Sequence, residues 1–330
     1  MSITGVTNGG VGMTQNNKPI VLYLPNVLQL PIAMLAAFRI GLTVLPISAT
    51  NEDVDYLHDI LKSSGADTVI TIDGFWMGTR LIRTKELLDT AIIDTEIRRV
   101  LVIRHVSPDK GIPSPQIHLT GRRPYYLYKI VMKQERDSWW SEFFPDASIF
   151  ANQKQFSANP FHCSYLSGSI TFREYIANNT DNANIVLLKN ASSSTLLLSI
   201  SLERLQEEIS HVQTGLRLNE LSLIISTTNT FHQIAYTLAA LKVGAIPLIY
   251  EGDIKHPDPS RTSQIIYTYK VAKLLIAEED LSVLMENKQY ITFWDLKTLK
   301  EILVLGGNKL CKEAEEIFGV SCRNIEPKPI

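Results

Sequence analysis

Cysteine is scarce in this sequence, with three in 330 residues at Cys163, Cys311 and Cys322. So few, scattered and odd in number, they exclude a disulfide framework and fit a reducing compartment. An excess of either charge is also missing. Lys and Arg total 32 against 34 Asp and Glu, a formal charge of −2, so there is no surplus of cations to neutralise a nucleic-acid backbone or to hold an anionic membrane. Long apolar runs are absent too. The most apolar stretch, Ile20 to Ile47, is interrupted by Pro25, Asn26, Gln29, Pro31 and Arg39, whereas a bilayer span needs about 20 apolar residues in succession. The first residues, Met1 to Asn17, carry Gly, Thr and Asn in place of a basic patch and an apolar segment. No secretory leader is therefore expected, and the expected location is cytoplasmic. Neither nucleic acid nor membrane is expected as a partner.

What is present is a chain with 45% hydrophobic and 20% charged residues, enough for one large core or two ordinary ones at about 150 residues each. From Lys18 onward, short β-branched runs alternate with helical patterns, which predicts repeated βαβ units and a mostly parallel sheet. Strands are predicted at Ile20 to Leu24, Thr43 to Ile47, Asp67 to Thr71, Val100 to Ile103, Ile185 to Leu188, Leu221 to Ile225, Ala245 to Tyr250, Lys273 to Ile276 and Leu299 to Leu305. Between them fall helical segments. Glu52 to Ser64 places Val54, Leu57, Ile60 and Leu61 on one stripe, with Asn51 to cap its start and Gly65 its end. Further helices are predicted over Val27 to Arg39, Thr84 to Ile92, Leu202 to Val212, Phe231 to Val243, Ser260 to Tyr269 and Glu278 to Asn287. Ser201 is the predicted N-cap of the fourth, and Asp258 with Pro259 the cap and first-turn pair of the sixth.

The predicted organisation is a tail over 1–17, an α/β subdomain over 18–104, an irregular connection over 105–184 with several prolines and aromatics, and a second α/β subdomain over 185–330. An internal echo links the two subdomains. Residues 34–41, MLAAFRIG, and 237–244, TLAALKVG, each read as a helix end with close-packing alanines, a cation in the last turn, a terminal glycine and a following strand. Two ordinary helix-to-strand joints suffice to explain it, and related subdomains are the alternative.

The order of these segments resembles the adenylate-forming enzymes, and within them the acetyl-coenzyme A synthetase branch. The stretches that carry the likeness are Lys18 to Asn26 with Ala33 to Gly41, Val69 to Gly74 leading to Arg80, Arg136-Asp137-Ser138-Trp139-Trp140, Tyr250-Glu251-Gly252 with Pro257 to Arg261, and Leu303 to Gly307. The resemblance implies an α/β fold of mostly parallel sheets with flanking helices, in two βαβ-type subdomains. It implies a reaction in which ATP and a short carboxylic acid such as acetate form an acyl-adenylate that passes its acyl group to coenzyme A. ATP, Mg and coenzyme A are thus the cofactors expected if the protein is active, and none otherwise.

The same resemblance locates the functional positions and shows them altered. The family's phosphate loop, a glycine-rich turn closed by lysines, corresponds within one position to Leu187 to Leu198, where Ser192, Ser193, Ser194 and Thr195 keep hydroxyls for ATP or AMP but the glycines and lysines are gone. Without glycine the backbone cannot readily approach a phosphate, and burying each of Leu196, Leu197 and Leu198 is worth about 1.5–3 kcal/mol. Tyr165 to Thr171 is a rival placement with the same lack of lysines. After the second strand, Ala49 and Thr50 stand where the branch has glycines. In the acyl pocket Asn229 replaces a tryptophan and Phe231 a small hydroxyl residue. The adenine-contacting Gly-Glu-Pro becomes Gly307-Asn308-Lys309. Of two arginines associated with coenzyme A, Met77 replaces one and Arg80 matches the other. The sequence stops at Ile330, near the family's next substrate motif, so its later ribose-holding residues and adenylating lysine are expected to be absent.

No Cys/His set has metal-ligand spacing, and neither a nucleophile elbow nor a Walker loop occurs. The reading is an acetyl-coenzyme A synthetase-like AMP-binding domain with impaired catalysis. The alternative is a non-catalytic homologue that binds nucleotide or coenzyme A, or a protein partner covering its sheet edges.

Overall fold

The computed structural model describes residues 18–39, 42–107, 130–142, 184–191, 194–227 and 230–325. The tail, Gly41, Cys163 and the rival stretch Tyr165 to Thr171 lie outside the described residues. Two compact units emerge, one comprising the residues up to Leu24 and from Ala37 to Ser199, the other Pro25–Ala36 and Ile200–Ile330.

In the first unit, β1 (Ile20–Leu24) is buried on both faces and pairs in parallel with β2 (Val44–Ser48) on one side and β3 (Thr68–Ile72) on the other. A strand covered on both faces reads as a continuous apolar run, and IVLYL is one. Helix α1 (Gln29–Arg39) leads from β1 to β2, and α2 (Val54–Ser64) from β2 to β3. A hairpin of β4 (Phe75–Met77) and β5 (Arg80–Ile82) precedes α3 (Thr84–Ala91) and β6 (Arg99–Ile103). Within 105–184, β7 (Asp137–Trp139) adds to the sheet parallel to β6. The sheet is completed by β8 (Asn184–Ala191) and β9 (Ser194–Ser201), in the order β7-β6-β3-β1-β2-β8-β9. β8 pairs in parallel with β2 through Val44 and Ile185. The sequence boundary at 185 is thereby corrected: the chain from 185 to 199 extends the first sheet, because β2 offers an unpaired edge that β8 satisfies.

In the second unit, α4 (Leu202–Val212) precedes β10 (Leu221–Ile225), α5 (Thr230–Lys242), β11 (Ile246–Ile249), α6 (Arg261–Tyr269), β12 (Lys273–Ala277), α7 (Glu278–Glu286), β13 (Glu301–Leu305), α8 (Cys311–Phe318) and β14 (Ser321–Ile325). All pairings are parallel, in the order β11-β10-β12-β13-β14. Leu223, Ile225, Leu274, Ile276, Ile302 and Val304 supply the sheet's share of the core.

The two sheets are wound alike. In each, the first strand is central, the second lies on one side, the third on the other, and later strands build outward. The echoing octapeptides fall at the same point of each winding, the end of the first crossover helix. Gly244 has φ +72° there, and an added Cβ would stand 2.2 Å from Leu218, so that turn requires glycine.

Two caps differ from expectation. Asp53, not Asn51, caps α2, its carboxylate accepting from the Tyr56 N–H at 3.0 Å, while Asn51 accepts from the Asp53 N–H one turn outside the helix. Asp258 likewise accepts from the Ser260 N–H at 2.9 Å in a turn before α6, which starts at Arg261. In both cases a short polar side chain two residues ahead closes an Asx turn and competes for the cap role. Ser201 does cap α4, accepting from the Arg204 N–H, and Gly65 ends α2 at φ +60°. Asp53→Ala is expected to cost about 1 kcal/mol and Asn51→Ala much less, as read from urea unfolding midpoints.

Candidate functional site

Ligands of an open α/β sheet sit beyond the carboxyl ends of the strands, where the winding reverses. In the second unit that point lies between β10 and β12. β10 runs out into Ser226 and Thr227; β12 runs straight into Glu278, Glu279 and Asp280, the first turn of α7. Asp280 is 3% exposed and takes two hydrogen bonds from Thr227, from its N–H at 2.9 Å and from its hydroxyl. Burial raises the Asp280 pKa above the ordinary carboxylate value, Thr227 pulls it back, and Glu279 adds to the rise. The Ser226 carbonyl accepts from the Asn26 amide at 3.0 Å. On α5, burial lowers the His232 pKa, with the charge of Glu279 opposing.

Beside β12, β13 ends in Gly306, at φ +105°, and Gly307. A Cβ on Gly307 would stand 1.9 Å from Glu278 Oε2, so the Glu278 carboxylate lies directly over this glycine. Glu278 Oε1 is buried with no hydrogen-bond partner. The first turn of α7, whose N-terminus an incoming phosphate could have used, therefore already carries three carboxylates.

The first unit holds a related device beside its reversal point, which lies between β1 and β3. β3 ends in Asp73, wholly buried, whose carboxylate accepts from the N–H of Gly74 and, across the β3–β6 pair, from those of His105, Val106 and Ser107 at 2.8–3.0 Å. Such a convergence of amides is an anion nest, and here a protein carboxylate fills it. This aspartate gave no signal in the sequence, because three of its four amide partners lie 32 to 34 positions away.

The expected site residues divide between the units. Arg80 and Met77 are cross-strand partners in the β4–β5 hairpin, so the two positions likened to a coenzyme A pair do adjoin. Arg80 Nη1 lies 2.6 Å from Glu52 Oε1 with its side chain 64% exposed, a surface ion pair worth about 0–1 kcal/mol. Ser194 and Thr195 begin β9; Ser192 and Ser193 lie outside the described residues. β8 and β9 are neighbours in the sheet with only these two positions between them, so they run antiparallel, since a parallel crossover takes a dozen or more residues. Asn229 is also outside the described residues. Phe231 is buried on α5, its ring 6.2 Å from that of His232. A cleft of the second unit is lined by Asn26, Val27, Leu30, Pro31, Gln233, Ile234, Thr237 and Ile249, and Phe231 is not part of it. Gly307 and Asn308 follow β13 as expected, with Asn308 exposed. Sequence reasoning missed Asp73, Glu278, Asp280 and Gln233.

The group that the likeness implies does not fit the switch-point crevice of the second unit. A polyphosphate there would meet Glu278, Glu279 and Asp280 within one helical turn, and burying like charges together is costly. Among the described residues no group of three or more His, Cys, Asp or Glu could hold a metal ion. No helix among them is long and apolar enough to cross a membrane.

Comparison with known proteins adds four findings. The pattern described as "AMP-binding enzyme" matches residues 10–127. The acetyl-coenzyme A synthetase of Pyrobaculum aerophilum is 27% identical over 301 residues, covering 89% of this chain and 39% of that protein. The acetyl-coenzyme A synthetase of Drosophila melanogaster is 30% identical over 156 residues, covering 46% of this chain and 22% of that protein. Among solved structures, acetoacetyl-CoA synthetase from Streptomyces lividans superposes with a TM-score of 0.63 at 12% identity, covering 94% of this chain and 43% of that one; this likeness shows the fold. The chain spans about two fifths of the length of the curated relatives that match it along most of its length.

Proposed function

We propose that the chain, which is similar to acetyl-coenzyme A synthetases along most of its length and carries the AMP-binding enzyme pattern in its first part, is an acetyl-coenzyme A synthetase-like AMP-binding domain in which adenylation of acetate, or of another short carboxylic acid, is impaired. The observation that carries this reading is the carboxylate-filled crevice between β10 and β12. Glu278 lies over Gly307 and Asp280 is bound to Thr227, so the nucleotide's phosphates have neither a free helix N-terminus nor an open path to the glycine turn. Removing one preorganised donor to developing charge commonly lowers a rate by about 10²–10³; here the first turn of α7 adds three carboxylates where a phosphate would need donors. In this reading the protein works in the cytoplasm, on a small-molecule nucleotide or coenzyme A if on any ligand. A protein partner is the alternative, with β11 and β14 as the outermost strands of the second sheet among the described residues and Ile246 exposed on the first of these.

Acetate-dependent exchange of radiolabelled pyrophosphate into ATP tests it. The full chain is expected to give no more exchange than the protein-free blank at millimolar ATP and acetate. An acetate-dependent rate above that blank would overturn the proposal.

A further inference from the structure

Two of the three cysteines meet in the second unit. Cys311 opens α8 and is buried; Cys322, eleven positions later, is the second residue of β14, half-buried on the edge strand of the sheet. After α8, Gly319 at φ +68° turns the chain back, so β14 runs beside the helix that precedes it. Cys311 belongs to the apolar cluster under α8 and Cys322 packs against that cluster. Their side chains thus share one apolar cluster between α8 and β14, with Cys311 a neighbour of the Cys322 thiol. Backbone contacts hold both in place, since the Cys322 N–H donates to Glu315 Oε1 at 2.9 Å and the Cys311 N–H to the Asn308 carbonyl at 3.2 Å.

We propose that Cys311 and Cys322 form a dithiol that closes reversibly into an intramolecular disulfide, tying the first turn of α8 to the edge strand β14 just beyond the Gly307–Asn308 turn. The oxidant class is a low-molecular-weight disulfide such as oxidised glutathione. Cys322, the more exposed of the two, gives up its proton and its sulfur attacks one sulfur of oxidised glutathione. That S–S bond breaks, and the departing glutathione thiolate takes a proton. Cys311 then gives up its proton and attacks the Cys322 sulfur of the mixed disulfide, expelling the second glutathione, which is protonated in turn. Two protein thiols lose two electrons, and one glutathione disulfide gains them to become two thiols. Burial, then the neighbouring Cys311 and the charges of Glu315 and Glu301, raise the Cys322 thiol well above its ordinary value. The first step is therefore slow at neutral pH and quickens as pH rises, since the thiolate is the nucleophile. A partner thiol held in the same apolar cluster makes the second step intramolecular and fast.

The test uses the full chain carrying Cys163→Ser, incubated with oxidised glutathione at pH 8 and examined by intact and peptide mass spectrometry. The expected product has lost two hydrogens, links the peptides bearing Cys311 and Cys322, and regains its mass with dithiothreitol. Adding Cys311→Ser removes the resolving thiol, so a glutathione adduct on Cys322 should accumulate about tenfold over its level in the two-cysteine chain. Should that variant not fold, Cys322→Ser serves in its place, with Cys311 expected to stay alkylatable and unlinked. A lasting glutathione adduct on the two-cysteine chain, disulfide-linked dimers, or free thiols after prolonged excess oxidant would each overturn the proposal.

Discussion

Asp137→Asn should destabilise the first unit by about 3–5 kcal/mol, the range for breaking a buried charge pair from one side. The Asp137 carboxylate is fully buried and sits 2.9 Å from Lys85 Nζ, itself 1% exposed. Lys85 also reaches Asp89 at 2.7 Å, Arg136 binds both Asp89 and Asp137, and the Lys133 N–H donates to Asp137 at 2.9 Å. Two cations and two carboxylates thus neutralise one another, and this network joins β7 to α3. Neutralising Asp137 leaves Lys85 buried beside a single carboxylate that Arg136 also claims. Lys85→Met should be at least as damaging, because it strands Asp137 and Asp89 together. Hydrogen exchange of amides in α3, β6 and β7 would register the loss locally. Exchange unchanged by either substitution would contradict the assignment of this network as the anchor of β7.

The pH dependence follows from the direction of the shift. Burial works to raise the Asp137 pKa, but Arg136, the Lys133 N–H and Lys85 outweigh it, and the net effect lowers it. The folded state therefore binds this proton less readily than the unfolded chain. Its stabilisation is present above the unfolded carboxylate pKa and is lost as pH falls through the folded one. The stability difference between the parent chain and Asp137→Asn should shrink on acidification.

Asp280→Asn should behave in the opposite sense. Desolvation dominates there and the pKa is raised, so the folded state binds the proton more readily than the unfolded chain. The parent's stability contribution is present below the unfolded pKa and is lost as pH rises through the folded one, at up to about 1.4 kcal/mol per pH unit. Asparagine keeps an oxygen for the Thr227 N–H and turns its amide toward the Thr227 hydroxyl, which can accept. At neutral pH the variant should equal or exceed the parent in stability, with a flatter profile between pH 4 and 7. Urea titrations at several pH values, followed by exchange of the β10 and α7 amides, decide it. Parallel profiles for parent and variant would refute the account, and a gain in ATP binding by the variant would tie the carboxylate to exclusion of phosphate.

Legibility varied with the range of the interactions. Every strand of four or more residues buried on both faces announced itself as an apolar run, and α2 and α4 as stripes with charges opposite. β4, β5 and β7 have three residues each, too short for any period to register. β9 was read as an eroded loop because its serines and leucines were weighed against a phosphate site, while its true partner is the strand two positions before it. Asp73 and Asp280 carried no local mark; three of the four amides that bind Asp73 are 32 to 34 positions away, and the Thr227 partner of Asp280 is 53 away.

By themselves the residues determined the class of fold, the succession of βαβ units and the helix ends at Gly65 and Ser201, since these rest on burial and backbone preference between near neighbours; the likeness to acetyl-coenzyme A synthetases rests instead on matching stretches and their order along the chain. Only the tertiary structure decided that the two halves are wound alike, that β8 and β9 belong to the first sheet, that Arg80 pairs with Glu52, and that buried carboxylates sit at the ends of β3 and β12. Those facts depend on which distant segments are brought within hydrogen-bonding reach, and chain order along the sequence does not encode that distance.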